Sequence, residues 1–102
     1  MAAFDVSAQL LPLTTLAVIR NKPSHGYEVR DRLTREGFGE FKSGTIYPLL
    51  KRLENVGAIS SNWVLPDSGA ARKQYSISDE GELLFRNGLK ELQKIVKTME
   101  EG

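Results

Sequence analysis

In "SGTIYPLLKRLENVG", residues Ser43 to Gly57, the apolar residues Ile46, Leu49, Leu50 and Leu53 fall at i, i+3, i+4 and i+7. That spacing places them on one face of a helix, and Gly57 is a suitable C-terminal stop. The opposite face carries Thr45, Tyr47, Pro48, Lys51, Arg52 and Asn55. With Thr45 as the cap, the N–H that Pro48 lacks falls among the unpaired donors of the first turn. The stretch therefore opens on orphan N–H groups, the hydroxyls of Ser43 and Thr45 and a tyrosine, and continues into two adjacent cations. Such groups bind phosphate oxygens and base edges. An isolated Lys-Arg pair reads first as a solvated helix face, so the elements around it decide the matter.

Before it, a helix is expected from about Ser7 to Asn21, with Leu10, Leu13, Leu16, Ala17 and Ile19 on its apolar side and Pro12 in its first turn. Pro23 ends it. Ser24 is expected to cap a second helix to about Glu36, with Glu28 near its positive end, until Gly37 and Gly39 break it. After Gly57 the period changes from about 3.6 to 2, the mark of a strand. In "AISSNWVL" the apolar positions are Ile59, Trp63 and Leu65, and in "RKQYSIS" they are Tyr75 and Ile77, with the turn residues "PDSGA" between the two runs. This predicts a hairpin with one buried face, on which Tyr75 packs and Trp63 anchors, with stacking on a ligand near a dimer cavity as the alternative for Trp63. Ser78 or Asp79 then caps a long helix, for which Asp79 and Glu82 have capping-box spacing. Three helices, a hairpin and a trailing helix make an α+β, mostly α, winged helix-turn-helix with a two-stranded wing. The expected organisation is one compact unit, with a winged-helix part over residues 1–78 and a dimerisation helix over 79–102. The setting turns the exposed face of the third helix into a candidate DNA contact.

Composition is consistent with one domain. The chain has 102 residues, no cysteine and a formal net charge of +1. Residues 1–78 hold 10 Lys/Arg against 7 Asp/Glu, and residues 79–102 hold 4 against 6, so the basic surplus lies outside the last helix. No cysteine means no disulfide, thiolate metal site or cysteine nucleophile. The single histidine, His25, lacks metal-ligand or triad partners and reads as a helix-start residue, so no metal, cofactor or catalytic residue is expected. The apolar runs are too short to span a bilayer and no signal-peptide order opens the chain, which predicts a cytoplasmic protein that is not an enzyme.

"HGYEV" (25–29), "SGTIYPLLKRLENVGAI" (43–59), Trp63, "RKQY" (72–75) and "SDEG" (78–81) resemble, in order and spacing, the PadR family of bacterial transcriptional regulators. The resemblance covers about residues 10–85. It implies a winged-helix homodimer that represses genes by binding double-stranded DNA and releases it on binding a small hydrophobic or aromatic effector. With a single trailing helix, the chain resembles the short subfamily. Carried over by position, Ser43, Thr45, Tyr47 and Pro48 match the start of the recognition helix, and Lys51 and Arg52 follow on it. Tyr27 matches a tyrosine that reaches the DNA backbone, and Arg72 and Lys73 match a basic pair on the wing. Ala70 and Ser76 stand where relatives are often basic, which implies a weaker grip by this wing. Some short relatives hold flat drugs between tryptophans on the last helix. This chain has none there, Phe85 and Met99 are the nearest substitutes, and no effector residue is assigned.

In the trailing helix Phe85, Leu89, Leu92, Val96 and Met99 are spaced 4, 3, 4 and 3, the pattern of a seam facing a partner helix. A homodimer is expected, and with it an inverted-repeat operator. The alternative function is a winged helix that binds protein instead of DNA, which the near-neutral charge and the thinned wing allow.

Overall fold

The computed structural model describes residues 5–102; the first four residues of the expected 1–78 unit, and of the N-terminus read for a signal peptide, lie outside it. The elements run α1 (Val6–Gln9), α2 (Leu11–Asn21), β1 (Ser24–His25), α3 (Gly26–Arg35), α4 (Ser43–Asn55), β2 (Ile59–Val64), β3 (Arg72–Ile77) and α5 (Asp79–Glu101). This is the expected winged helix-turn-helix, with α3 and α4 as the helix pair and β2–β3 as the wing.

The core joins one face of each helix to the base of the wing. Leu16, Val18 and Ile19 of α2, Val29 and Leu33 of α3, all four predicted apolar residues of α4, and Ala58, Ile59, Tyr75 and Phe85 are buried in one cluster. Both helices of the pair end alike. Gly37 and Gly57 have φ of +82° and +81°, a left-handed conformation that glycine adopts without Cβ strain. Each allows the last turn to close: Phe38 N–H donates to the Leu33 carbonyl and Ala58 N–H to the Leu53 carbonyl, both at 2.9 Å.

Several local expectations are corrected. The first helix is two helices, because Pro12 has no N–H and its ring collides with the carbonyl four residues back; α1 stops and α2 restarts with Pro12 in its first turn. Ser24 is not a cap. Ser24 and His25 form a short strand that pairs with Tyr75 and Gln74, making a three-stranded antiparallel sheet of order β1-β3-β2. His25 caps α3, with Glu28 Oε1 accepting its backbone N–H at 2.8 Å. Lys42, not Thr45, precedes α4, since its carbonyl already accepts from Thr45 and Ile46. Pro48 therefore lies inside the helix and leaves the Gly44 carbonyl without its usual donor.

The Asp79–Glu82 capping box does not form. Ser78 caps α5, its Oγ accepting the Gly81 N–H at 2.9 Å. Glu82 turns instead to α2, where Arg20 Nε lies 2.6 and 2.8 Å from its two oxygens and the guanidinium stacks 5.0 Å from the Phe85 ring centre. That hydrogen bond holds the Glu82 carboxyl below the usual carboxylate range. The start of α5 packs on the body through Gly81, Phe85 and Gly88. A Cβ on Gly81 would lie 1.9 Å from the Ala58 carbonyl oxygen, and one on Gly88 would lie 2.9 Å from Leu13. Phe85, expected in the dimer seam, is thus buried within its own chain. Beyond Gly88 the helix runs clear of the body, within an outline of 55 × 33 × 20 Å.

The wing departs most from expectation. Tyr75 and Ile59 are buried as predicted, but Trp63 and Leu65 are 70% and 78% exposed. Ile59, Ser61 and Trp63 pair with Ile77, Tyr75 and Lys73, so all six side chains share the inner face. Trp63 is on that face by register but is left uncovered there.

Candidate functional site

The exposed side of α4 and the inner face of the wing meet in an open cleft of about 340 Å³. Tyr47 from α4, Tyr27 and His25 from the start of α3, and Trp63, Arg72, Lys73 and Tyr75 from the wing line it. Tyr47 lies across Gly26: a Cβ there would come within 2.4 Å of its ring. Glycine at this position is what lets the ring lie flat against the first turn of α3. Arg72 donates from Nη1 to the Tyr27 hydroxyl at 3.1 Å and its guanidinium sits 5.5 Å from that ring centre. Both residues are exposed, so the pair presents a cation on an aromatic support at the cleft mouth.

Lys73 is placed differently. Its Nζ donates to Glu54 Oε1 of α4 at 3.1 Å and lies 5.6 Å from the Tyr75 ring centre. Glu54 Oε2 accepts from Ser61 Oγ of β2. The two hydrogen bonds that Glu54 accepts, Ser61 first and Lys73 second, lower its pKa, and the bond that Lys73 donates to Glu54 raises that of Lys73, so the two shifts agree in direction. Burial is the main cause that raises the Tyr75 hydroxyl, which fits a packing role. His25 adds a further brace, with Nδ1 3.2 Å from the Lys73 carbonyl.

The predicted site residues therefore divide among three places. Tyr27, Tyr47, Arg72 and Lys73 share the cleft. Thr45, Pro48 and Arg52 lie on the other flank of α4, in a groove shared with Gln9 and Pro12. Ser43 and Lys51 are exposed on the helix itself and line neither hollow. Sequence reasoning missed two residues here: Trp63, read first as a packing anchor, and Glu54, not singled out; His25 is the helix-start residue it was read as, and it also lines the cleft. The alternation that put Trp63 on the inner face was legible. That no helix covers it there was not.

Among the described residues no cluster of His, Asp and Glu fits a metal ion, and no helix is long and apolar enough to cross a membrane.

A helix pair whose second helix is exposed beside a short antiparallel wing, with hydroxyls and cations on both, defines a winged helix-turn-helix protein. The chain matches the family model "Transcriptional regulator PadR-like family" over residues 15–87, and it belongs to that family. Solved structures agree. A PadR family transcription regulator from Clostridium difficile R20291 is similar at 29% identity and a TM-score of 0.80, over 90% of this chain and 96% of that one. A PadR family transcriptional regulator from Eggerthella lenta is similar at 27% identity and a TM-score of 0.86, over 94% and 83%. Bacillus subtilis PadR, solved in complex with operator DNA, shares the fold at 24% identity and a TM-score of 0.71; the match covers 78% of this chain and 46% of that one. No curated protein matches the sequence at a significant level.

Proposed function

We propose that this chain is a sequence-specific, DNA-binding transcriptional regulator that acts as a homodimer on an inverted repeat, and that it is a cytoplasmic repressor released by a small hydrophobic or aromatic effector. The observation that carries the reading is the shared exposure of α4 and Arg72 on one side of the molecule. A recognition helix there enters the major groove while the wing follows the adjacent backbone. The family supports it, and so does the operator complex of the Bacillus subtilis relative. Tyr47, Thr45 and Pro48 meet base edges and sugar at the groove, Ser43, Lys51 and Arg52 meet phosphates from the helix, and Tyr27 and Arg72 meet phosphate as a pair. Residues 1–78 form the DNA-binding unit and 79–102 the dimerisation helix.

The dimer reading is supported by α5. Leu84, Leu89, Ile95, Val96 and Met99 are all exposed by more than a third in the single chain, and Leu92 is half-buried. An apolar stripe of this length on a helix free of the body is the mark of a covered face. Met99 and Ile95 also line a shallow groove of about 350 Å³, too open to assign an effector to. A protein-binding wing is the second reading, favoured by the exposed Trp63 and Leu65 near its tip.

Two expected results test this. Arg72→Ala should flatten the salt dependence of DNA binding by about one unit, since each neutralised phosphate contributes a slope near −0.9. Titrations at four salt concentrations check it, and an unchanged slope removes the wing from the contact. Gly26→Ala should leave the chain folded, because the three atoms nearest the new methyl all belong to the Tyr47 side chain, which is half-exposed and can swing away. It should push that ring aside and weaken DNA binding by roughly tenfold, about the worth of one hydrogen bond or a little more. Combined with Tyr47→Ala it should add almost nothing, as expected for one shared contact. Full additivity would mean that Tyr47 does not depend on Gly26 for its position.

A further inference from the structure

Glu54 is an acidic residue in the last turn of the helix that carries the DNA-facing side chains, and its side-chain hydrogen bonds go to the wing. Its two oxygens take Ser61 Oγ from one strand and Lys73 Nζ from the other. Ser61 and Lys73 stand at consecutive inner-face positions of the hairpin, since Ser61 pairs with Tyr75 and Trp63 with Lys73. One carboxylate therefore fastens both strands of the wing to α4. Lys73 is held at its ammonium by the carboxylate and by the face of the Tyr75 ring, and at its backbone carbonyl by His25. Its ammonium points at the protein. Of the wing cations Arg72 and Lys73, Lys73 pairs with Glu54, and Arg72 has no acidic partner among the described residues.

We propose that Glu54 is a specificity-determining positioning residue: it withdraws Lys73 from the DNA and sets the angle of the wing on the recognition helix. The inference rests on the DNA-binding reading above and goes beyond it. A phosphate contact by Lys73 would strengthen binding to every sequence alike, because phosphate carries no sequence information. Neutralising that lysine internally removes affinity that does not discriminate. The wing then follows the backbone only when the helix is seated in its correct groove, so base contacts decide a larger share of the binding.

Glu54→Gln keeps the size of the side chain and an acceptor for Ser61 while removing the charge that holds Lys73. In the full chain, this variant should bind a scrambled duplex several-fold more tightly than the unmodified chain. Its salt slope should be steeper by about one unit, and its ratio of operator to scrambled affinity should fall. The steepening should vanish in Glu54→Gln combined with Lys73→Met. A role in stability alone would loosen the wing and weaken both affinities with no steepening. Lys73→Met in the otherwise unmodified chain is the independent arm, and it keeps the test decisive even where Glu54→Gln fails to fold. Its slope should match that of the unmodified chain, whereas a slope flatter by about one unit would show that Lys73 already grips phosphate and would overturn the proposal. A slope unchanged by Glu54→Gln in a folded variant would do the same. An unmodified chain that binds no DNA sinks the reading beneath the proposal, and is recognised separately because it appears before any variant is made.

Discussion

Leu92→Glu is expected to give a folded monomer that has lost its operator. The residue lies on α5 past Gly88, where the helix has left the body, and it is flanked on the same side by Leu89, Val96 and Met99. Two such helices packed together would bring the new carboxylates toward each other in an apolar seam, where an unpaired charge is costly. Within the protomer the change touches no part of the buried core. Helical content and the core should therefore persist, while sedimentation shifts from dimer to monomer. Operator binding should fall by at least about 100-fold, because the second half-site no longer binds at the high effective concentration that linkage provides. Binding to unrelated sequence should fall only several-fold. Sedimentation and titration of the variant beside the unmodified chain check both halves, and a variant that stays dimeric would place the seam elsewhere.

Gly81→Ala is expected to be the most destabilising single methyl that can be added to this chain's first α5 turn. The Cβ would stand 1.9 Å from the Ala58 carbonyl oxygen, 2.8 Å from its carbon and 2.9 Å from Ile77 Cγ1. Two of the three atoms are backbone and cannot rotate away. The same carbonyl accepts the Ser78 N–H at 3.1 Å, so α5 would be lifted from the point where it is capped. Overpacking against backbone should cost about 3 kcal/mol or more. For a domain of this size that lowers Tm by more than about 10 °C, measured at one fixed chain concentration so that association does not enter. A shift of only a degree or two would mean that the helix slides on the body without cost.

The α4 core was the most legible part of the fold, because four apolar residues at helical spacing leave only one face to bury, and all four are buried. The glycine stops were equally plain, since a left-handed residue is needed where a helix closes its last turn. What stayed hidden shared a physical cause: the interactions join residues far apart in the chain. Ser24 and His25 make a strand only because Tyr75 and Gln74 lie alongside, and two residues have no period to read. Glu82 has the spacing of a cap but finds Arg20, 62 positions away. Lys73 looks like any wing cation until Glu54 is seen beneath it. Trp63 shows the complementary failure: alternation tells which face a residue points to, and not how far the covering helices reach. In the site, the hydroxyls, cations and tyrosines of α3, α4 and the wing were readable as types. Their division between a cleft at Tyr47 and a groove at Arg52 was not, because it depends on which flank of α4 meets the wing and which meets α2.

Whether α4 and the wing read DNA as a dimer is decided by equilibrium titration of the unmodified chain over a range of salt. The probes are a duplex selected from genomic DNA and a scrambled duplex of equal length. The account predicts two chains per selected duplex, an inverted repeat with half-sites about one turn or 34 Å apart, a slope of several units and a preference of about 10³ or more over the scrambled sequence. Weak binding with a slope near zero and no preference between the two duplexes would contradict it, and would leave the wing as a surface for protein.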